Sequence, residues 1–275
     1  MNQNVPDVNI SVQSGGGPAT NVQLIQQGEM DFGLTTGWLG GDGYRGKGWA
    51  EGKKYDEIRA IFPLYFSTLH IYTLDKSPIK SIYDFEGKHI SVGSAGSTSN
   101  AAGRALLKTL GIKPREISSL PLGASTNGLK DGTIEACFVV TGVPGPFMLD
   151  LESSHKIRFI ELSQEDYNKV FEAFPFWSRG VIEKGAYKGI KEDLPVVNFW
   201  NFAIADKDLS DDLIYKIVKA TFENRQALIT INPKSKATIP ENIIYSTIPI
   251  HSGALKYYKE VGIEIPEELI PPEAK

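Results

Sequence analysis

Leu24-Ile-Gln-Gln-Gly-Glu-Met-Asp-Phe-Gly-Leu34 and Leu129-Lys-Asp-Gly-Thr-Ile-Glu-Ala-Cys-Phe-Val139 read as two copies of one unit: a helix end, a glycine, an acid and an apolar strand. Glycine behind a helix is by itself an ordinary C-cap, because glycine enters the left-handed region without steric penalty. Each copy, however, also follows a small polar segment ending in Thr-Asn, Gly15 to Asn21 and Gly123 to Asn127, and both segments are expected to be loops. Two matching copies point to two similar α/β lobes, and 275 residues are enough to build both.

Outward from the repeat, short apolar runs at Val8 to Val12, Asp31 to Leu34, Leu69 to Thr73, Lys88 to Val92 and Ile134 to Val140 alternate with stretches of helical period. The helices are expected at Asn21 to Gln27, Ser99 to Leu110, Asp211 to Asn224 (with Ser210 as N-cap) and Gly253 to Val261. Such alternation predicts an α/β protein with mainly parallel sheets. The chain is expected to leave the first lobe near Leu74 and return near Val196, so that residues 1–75 and 198–275 form lobe one and residues 76–197 form lobe two. Two crossings of this kind make a clamp whose central cleft binds a small molecule and closes by hinge motion.

Composition removes several classes. Hydrophobic residues are 41% and charged residues 23%, the balance of a packed globular chain. Lys and Arg total 29 against 33 Asp and Glu, a net charge of −4, which offers no basic excess for a nucleic acid partner. No run approaches the roughly 20 apolar residues that span a bilayer, so stable membrane insertion is not expected. Cys137 stands alone in an apolar strand, a poor nucleophile, and the four histidines (His70, His89, His155 and His251) are scattered without metal-ligand spacing. His251 is placed to cap the last helix. Asp31 and Glu135 are read as bonding nearby backbone.

Ile90-Ser-Val-Gly-Ser-Ala-Gly-Ser-Thr-Ser-Asn100 carries the strongest chemical signal, a strand entering a Gly/Ser/Thr loop and then a helix. Backbone N–H groups and hydroxyls at a helix N-terminus favour an anion. No Lys follows the glycines and their spacing is not that of a dinucleotide fingerprint, so neither a nucleotide nor any other cofactor is expected. Ser14-Gly-Gly-Gly-Pro-Ala-Thr-Asn21 repeats the strand, small loop and helix as a second jaw. Neither jaw holds an Arg, so neutral donors should bind the ligand, Ser97 among them. Trp38, directly behind the Asp31 to Thr35 strand, is expected at the sheet edge where open α/β folds take ligands.

These residues resemble the substrate-binding proteins of TAXI-type TRAP transporters. The likeness runs through Gly28-Glu-Met-Asp31, Lys80-Ser-Ile-Tyr-Asp-Phe-Glu-Gly-Lys88, Val92-Gly-Ser-Ala-Gly-Ser97, Leu129-Lys-Asp-Gly-Thr-Ile-Glu135, Gly142-Val-Pro144, Phe174-Pro-Phe-Trp177 and Ile248-Pro-Ile-His-Ser-Gly-Ala-Leu-Lys-Tyr-Tyr258. It implies a type II periplasmic-binding-protein fold and a small anionic ligand, a carboxylate or amino acid. It further implies a periplasmic or extracytoplasmic location and delivery to TRAP membrane permease subunits, without catalysis. An enzyme or a ligand-sensing domain on the same fold is the alternative. By position, Gly93 to Asn100 looks like the family's ligand loop, with Thr98 in place of a glycine. Gly15 and Pro18 stand where many members carry Thr and Ser. The candidate ligand-binding set is Ser14, Gly15, Gly16, Thr36, Trp38, Ser94, Ser97, Thr98, Ser99, Asn100, Thr141 and Gly142. The family pattern begins with a signal peptide and a further strand-to-helix unit, so the resemblance implies a longer, exported natural form.

Overall fold

Glycine ends the helix in both copies of the repeat. The computed structural model describes Val5, residues 9–13 and residues 15–274. In it, helix α1 (Pro18–Gln26) leads through Gly28, at φ 71°, into strand β1 (Phe32–Thr36). The N–H groups of Gly28 and Glu29 return to the carbonyls of Ile25 and Leu24, groups that the helix end would otherwise leave open. Helix α4 (Leu122–Asp131), Gly132 at φ 76° and strand β5 (Ala136–Thr141) repeat the arrangement, with Gly132 bonded to the Leu129 carbonyl. One expectation fails here. The Thr20-Asn21 and Thr126-Asn127 pairs lie inside α1 and α4, not in loops. Two glycines weaken the helix signal of α4, but burial of Ser125, Thr126 and Leu129 fixes it as a helix.

The chain forms two compact units, residues 1–66 with 200–275 and residues 67–199. Two long strands carry it from one to the other, β2 (Ile58–Leu74) and β8 (Leu194–Asp206). The first crossing was expected near Leu74, the end of β2. The unit boundary instead falls at Phe66 and Ser67, inside the strand, where a half-buried run over residues 64–67 separates the buried ends.

In the first unit, helix α2 (Gly37–Arg45) follows β1, and the chain ends through helices α7 (Asp211–Glu223), α8 (Arg225–Ile231) and α9 (Ser252–Glu260). Strand β1 pairs antiparallel with the end of β8, from Phe32↔Ala205 to Thr36↔Asn201, and Ala60 bridges Ile250 in parallel. Val22 and Ile25 of α1, Ile58 and Ile61 of β2, Phe202 and Ile204 of β8, Ile214 and Val218 of α7, and Leu255 and Tyr258 of α9 make one core. Ser210 caps α7 by accepting from the Leu213 N–H, and His251 Nδ1 caps α9 by accepting from the Gly253 N–H, both as expected.

In the second unit the order is β3 (His89–Ser91), α3 (Thr98–Thr109), β4 (Glu116–Ser118), α4, β5, α5 (Pro146–Ser154), β6 (Ile157–Phe159), α6 (Gln164–Ala173) and β7 (Ser178–Ile182). Strand β3 lies parallel to both β4 and β5. The end of β2 pairs antiparallel with β5 and β6, and β7 with the start of β8. The sheet structure is therefore mixed, not mainly parallel: short crossovers give the parallel pairs, while the long strands β2 and β8 take antiparallel partners. A second correction concerns Val8 to Val12. Val8 lies outside the described residues, and residues 9–13 form no strand, with Ser11 to Gln13 exposed and burying no face that would hold one.

Two side chains of the second unit give measurable outcomes. The Phe138 ring is fully buried and stands edge-on to Phe85, with centroids 5.6 Å apart. Phe138→Ala should cost about 3–5 kcal/mol, read from urea unfolding of the whole chain; an unchanged midpoint would show the ring is not tightly packed. Asp166 completes the capping box of α6: its N–H donates to Ser163 Oγ at 3.1 Å and its Oδ2 accepts from the Ser163 N–H at 3.1 Å. Burial pulls this carboxyl upward, but hydrogen bonds from Tyr83 and Ser163, with the Lys169 charge, outweigh burial and hold it below its ordinary range. Its folded pKa is thus depressed, and the stabilisation is present above about pH 4 and lost as pH falls through the folded value. Asp166→Asn should therefore destabilise more at pH 7 than at pH 3, and equal costs in chemical denaturation at the two pH values would contradict this.

Candidate functional site

Because β3 and β5 run parallel, their C-terminal ends reach the same edge of the sheet, and each feeds a helix through a short loop. Such edges are where open α/β folds take ligands. The loop after β3 spans residues 92–97 and enters α3; the loop after β5 spans residues 142–145 and enters α5. The end of β5 is tied to the first turn of α3 by the Val140 N–H, which donates to Ser99 Oγ at 2.8 Å. Ser94, Ser97, Thr98, Ser99, Asn100, Thr141 and Gly142 are thus gathered at one edge of the second unit.

Their hydroxyls are not equivalent. Ser97 caps α3: its Oγ accepts from the Asn100 N–H at 3.1 Å and donates to the Ser94 carbonyl at 2.6 Å. The Ser97 proton is spent inside the loop, which removes it as a donor to a bound anion. Asn100 is equally committed, donating from Nδ2 to the Gly93 carbonyl (2.9 Å) and Ser119 Oγ (2.8 Å) and accepting from Arg104 Nε (3.1 Å). It holds the loop's shape. Thr98 is different. Only 5% exposed, its Oγ1 is buried with no hydrogen-bond partner. Neither the Thr98 nor the Ser99 backbone N–H has a partner among the described residues. Ser99 Oγ uses a lone pair for Val140 and keeps its proton. At the positive end of a 12-residue helix these groups form a set of neutral donors suited to an oxyanion.

The loop after β5 is positioned by side chains that sequence reading did not single out. The Gly145 N–H donates to Tyr187 Oη at 2.6 Å, and Tyr187 Oη lies 2.8 Å from His70 Nε2. His70 Nδ1 lies 2.9 Å from the Thr68 carbonyl, which can only accept, so Nδ1 carries the proton and Nε2 accepts from the phenol. Burial pushes the Tyr187 pKa up to about 12, so the phenol stays a donor across the physiological range. Tyr187 stands 42 residues from Gly145 and 117 from His70, and no local motif joins them.

In the first unit, Gly15 and Gly16 precede α1, and Ser14 lies outside the described residues. A Cβ on Gly15 would stand 2.1 Å from Asn21 Oδ1, so a side chain there must displace Asn21, whose Nδ2 donates to the Leu34 carbonyl at 2.8 Å. Thr36, 1% exposed, caps α2 by accepting from the Leu39 N–H at 3.2 Å. Trp38 was expected at an accessible edge; it is 8% exposed, packed in α2, and its side chain hydrogen-bonds Asp42. The helix folds the ring inward. Asp31 contributes its backbone carbonyl to the Asp206 N–H, while Glu135 accepts from the His89 N–H at 2.9 Å with its carboxylate, as expected. Cys137 is buried, and desolvation lifts its thiol to about 12, which keeps it unreactive. Glu57, Asp206 and Asp208 bring carboxylate oxygens within 4.8 Å of one another, but the Lys207 ammonium stands 3.3 Å from Glu57 and 3.5 Å from Asp208 and already answers their charge.

The chain belongs to the NMT1-like family, whose pattern it matches over residues 1–262. Its fold is similar to that of a protein described as a periplasmic transporter, at 15% identity and a TM-score of 0.48 over 90% of this chain and 79% of that one. It is also similar to the arginine-, lysine-, histidine-binding protein ArtJ from Geobacillus stearothermophilus, at 16% identity and a TM-score of 0.46 over 79% of this chain and 73% of that one. A third likeness is to the periplasmic aliphatic sulphonate binding protein SsuA from Escherichia coli, at 14% identity and a TM-score of 0.41 over 81% of this chain and 63% of that one. All three are distant. Among the described residues, no helix is long and apolar enough to cross a membrane.

Removing the Tyr187 hydroxyl should loosen the loop it holds. In Tyr187→Phe, the Gly145 amide should exchange its hydrogen about tenfold faster, the effect of losing roughly 1.4 kcal/mol of hydrogen bonding. Amide exchange by NMR checks this, and unchanged protection at Gly145 would show that the phenol does not position the loop.

Proposed function

We propose that this chain is an extracytoplasmic solute-binding protein that takes a small anionic metabolite, a carboxylate or amino acid, at the loop-and-helix edge around Thr98 and Ser99. Delivery of that solute to a TRAP-type membrane permease is part of the same reading, supported by the motif order that resembles TAXI-type proteins. The observation that carries the binding step is the buried, unpartnered Thr98 hydroxyl beside two unpartnered N–H groups at the start of α3. A buried hydroxyl without a partner is unfavourable, and an oxyanion seated on the helix N-terminus would accept from all three groups at once. Neutral donors fit a site whose occupant is captured and released unchanged.

The test begins with mass spectrometry of small molecules carried by freshly purified protein, and with a thermal-shift screen of carboxylates and amino acids. For a hit followed by calorimetry, Thr98→Val should weaken binding about tenfold or more, corresponding to roughly 1–3 kcal/mol. Ser97→Ala should cost about 1 kcal/mol of stability through the lost cap and leave affinity within a few-fold of the parent. If no anion is carried and none of the screened compounds binds, the solute-binding reading fails. Turnover of the bound compound would favour an enzyme.

A further inference from the structure

Between Glu223 and Glu241 the chain carries Arg225, Lys234 and Lys236 and no Asp or Glu, although its net charge is −4. The fold turns this stretch back on itself. Helix α8 begins at Arg225, and the 3-10 turn Pro233–Ala237 packs against it. Arg225 Nη2 donates to the Lys236 carbonyl at 2.6 Å, which fixes the guanidinium on the turn that bears both lysines. Its Nε is buried and has no acceptor. Lys234 is half-buried, and burial lowers its pKa with no carboxylate acting against that effect. Among the described residues, none of the three cations takes part in an ion pair.

This is an unusual economy of charge. Most of the other buried or half-buried cations have an answer: Arg59 is held by Glu273 at 2.7 Å, Lys207 by Glu57 at 3.3 Å and Arg158 by Asp75 at 2.9 Å. A guanidinium N–H removed from water without an acceptor, and an ammonium desolvated without a counter-charge, are both unfavourable. One oxyanion would relieve both, accepting from Arg225 Nε and neutralising Lys234, in the short charge-assisted geometry that guanidinium and ammonium groups make with carboxylate or phosphate oxygens.

We propose that Arg225 and Lys234 form an anion-binding site in the first unit, with Lys236 adding charge at its rim, which takes a small oxyanion such as phosphate. It is separate from the α3 edge and does not rest on the solute-binding reading.

The experiment is an NMR titration of the full chain with inorganic phosphate at constant ionic strength, following the Arg225 Nε–Hε resonance in the parent and the backbone amides of residues 225–237 in the parent and every variant. A saturating shift is expected. Lys234→Met should weaken the apparent affinity at least fivefold and Arg225→Gln at least tenfold, whereas Lys113→Met, on an exposed residue elsewhere, should leave it unchanged. If Arg225→Gln fails to fold, Lys234→Met carries the comparison. Thr98→Val should leave phosphate binding intact; loss of binding in that variant would place the ion at the α3 edge and overturn the proposal. So would a shift that grows linearly without saturation, or equal affinity in parent and Lys234→Met. Sedimentation with phosphatidylglycerol vesicles distinguishes the source of the oxyanion. Co-sedimentation lost in Lys234→Met would assign a lipid headgroup, and no co-sedimentation beside saturable phosphate binding would assign a free anion.

Discussion

The parallel pairing of β3 with β5 is the constraint on which the candidate site depends. Antiparallel neighbours would send their following loops to opposite edges; these two strands deliver both loops to one. The Val140 N–H to Ser99 Oγ bond then joins the end of one strand to the first turn of the helix that follows the other. Around that bond the other polar groups divide. Ser99 accepts at Val140 and so keeps only its proton for a ligand, Ser97 and Asn100 are consumed in shaping the loop, and Thr98 is left as a buried donor without a partner.

Much of this was legible in the sequence, for physical reasons that also explain what was not. The helix, glycine and strand repeat is local: a left-handed glycine and a change of hydrophobic period mark it within a dozen residues, and both copies fold as read. The helices at 98–109, 211–223 and 252–260 carry amphipathic patterns and side-chain caps that announce their starts. Helix α2, Gly-Trp-Leu-Gly-Gly-Asp-Gly-Tyr-Arg, does not: four glycines suppress its propensity, and it forms because Trp38 and Leu39 bury their side chains and Thr36 caps it. That tertiary stabilisation also decides the fate of Trp38. Strand direction is likewise non-local, since nothing in Ile58–Leu74 says which neighbour it will face.

The site divides along the same line. That the Gly93 to Asn100 segment presents hydroxyls at a helix start is written in its composition. Which hydroxyl remains available is not, because each Ser or Thr can serve either the loop or a ligand, and the choice is made by geometry: Ser97 Oγ faces the Ser94 carbonyl at 2.6 Å, whereas Thr98 Oγ1 has no partner in the loop. The Tyr187 and His70 connection is less legible still. It joins β2, the segment before β8 and the start of α5, and a phenol and an imidazole so far apart in sequence carry no spacing rule.

Charge gives the two proposed anion sites different characters. At the α3 edge the donors are neutral and the attraction comes from the helix end, so an occupant there is held by directed hydrogen bonds and a partial positive charge. Screening by salt weakens such a site little, because the bonds are short-ranged and partly buried. In the α8 region the charges are formal and only half desolvated, so an occupant there gains Coulomb energy that mobile ions reduce, and selectivity between oxyanions of equal charge is low. A fold that discriminates one solute from others needs the first kind. Wrong ligands are then rejected by leaving a buried hydroxyl or N–H unpaired, a penalty that the point charge of an ammonium does not impose.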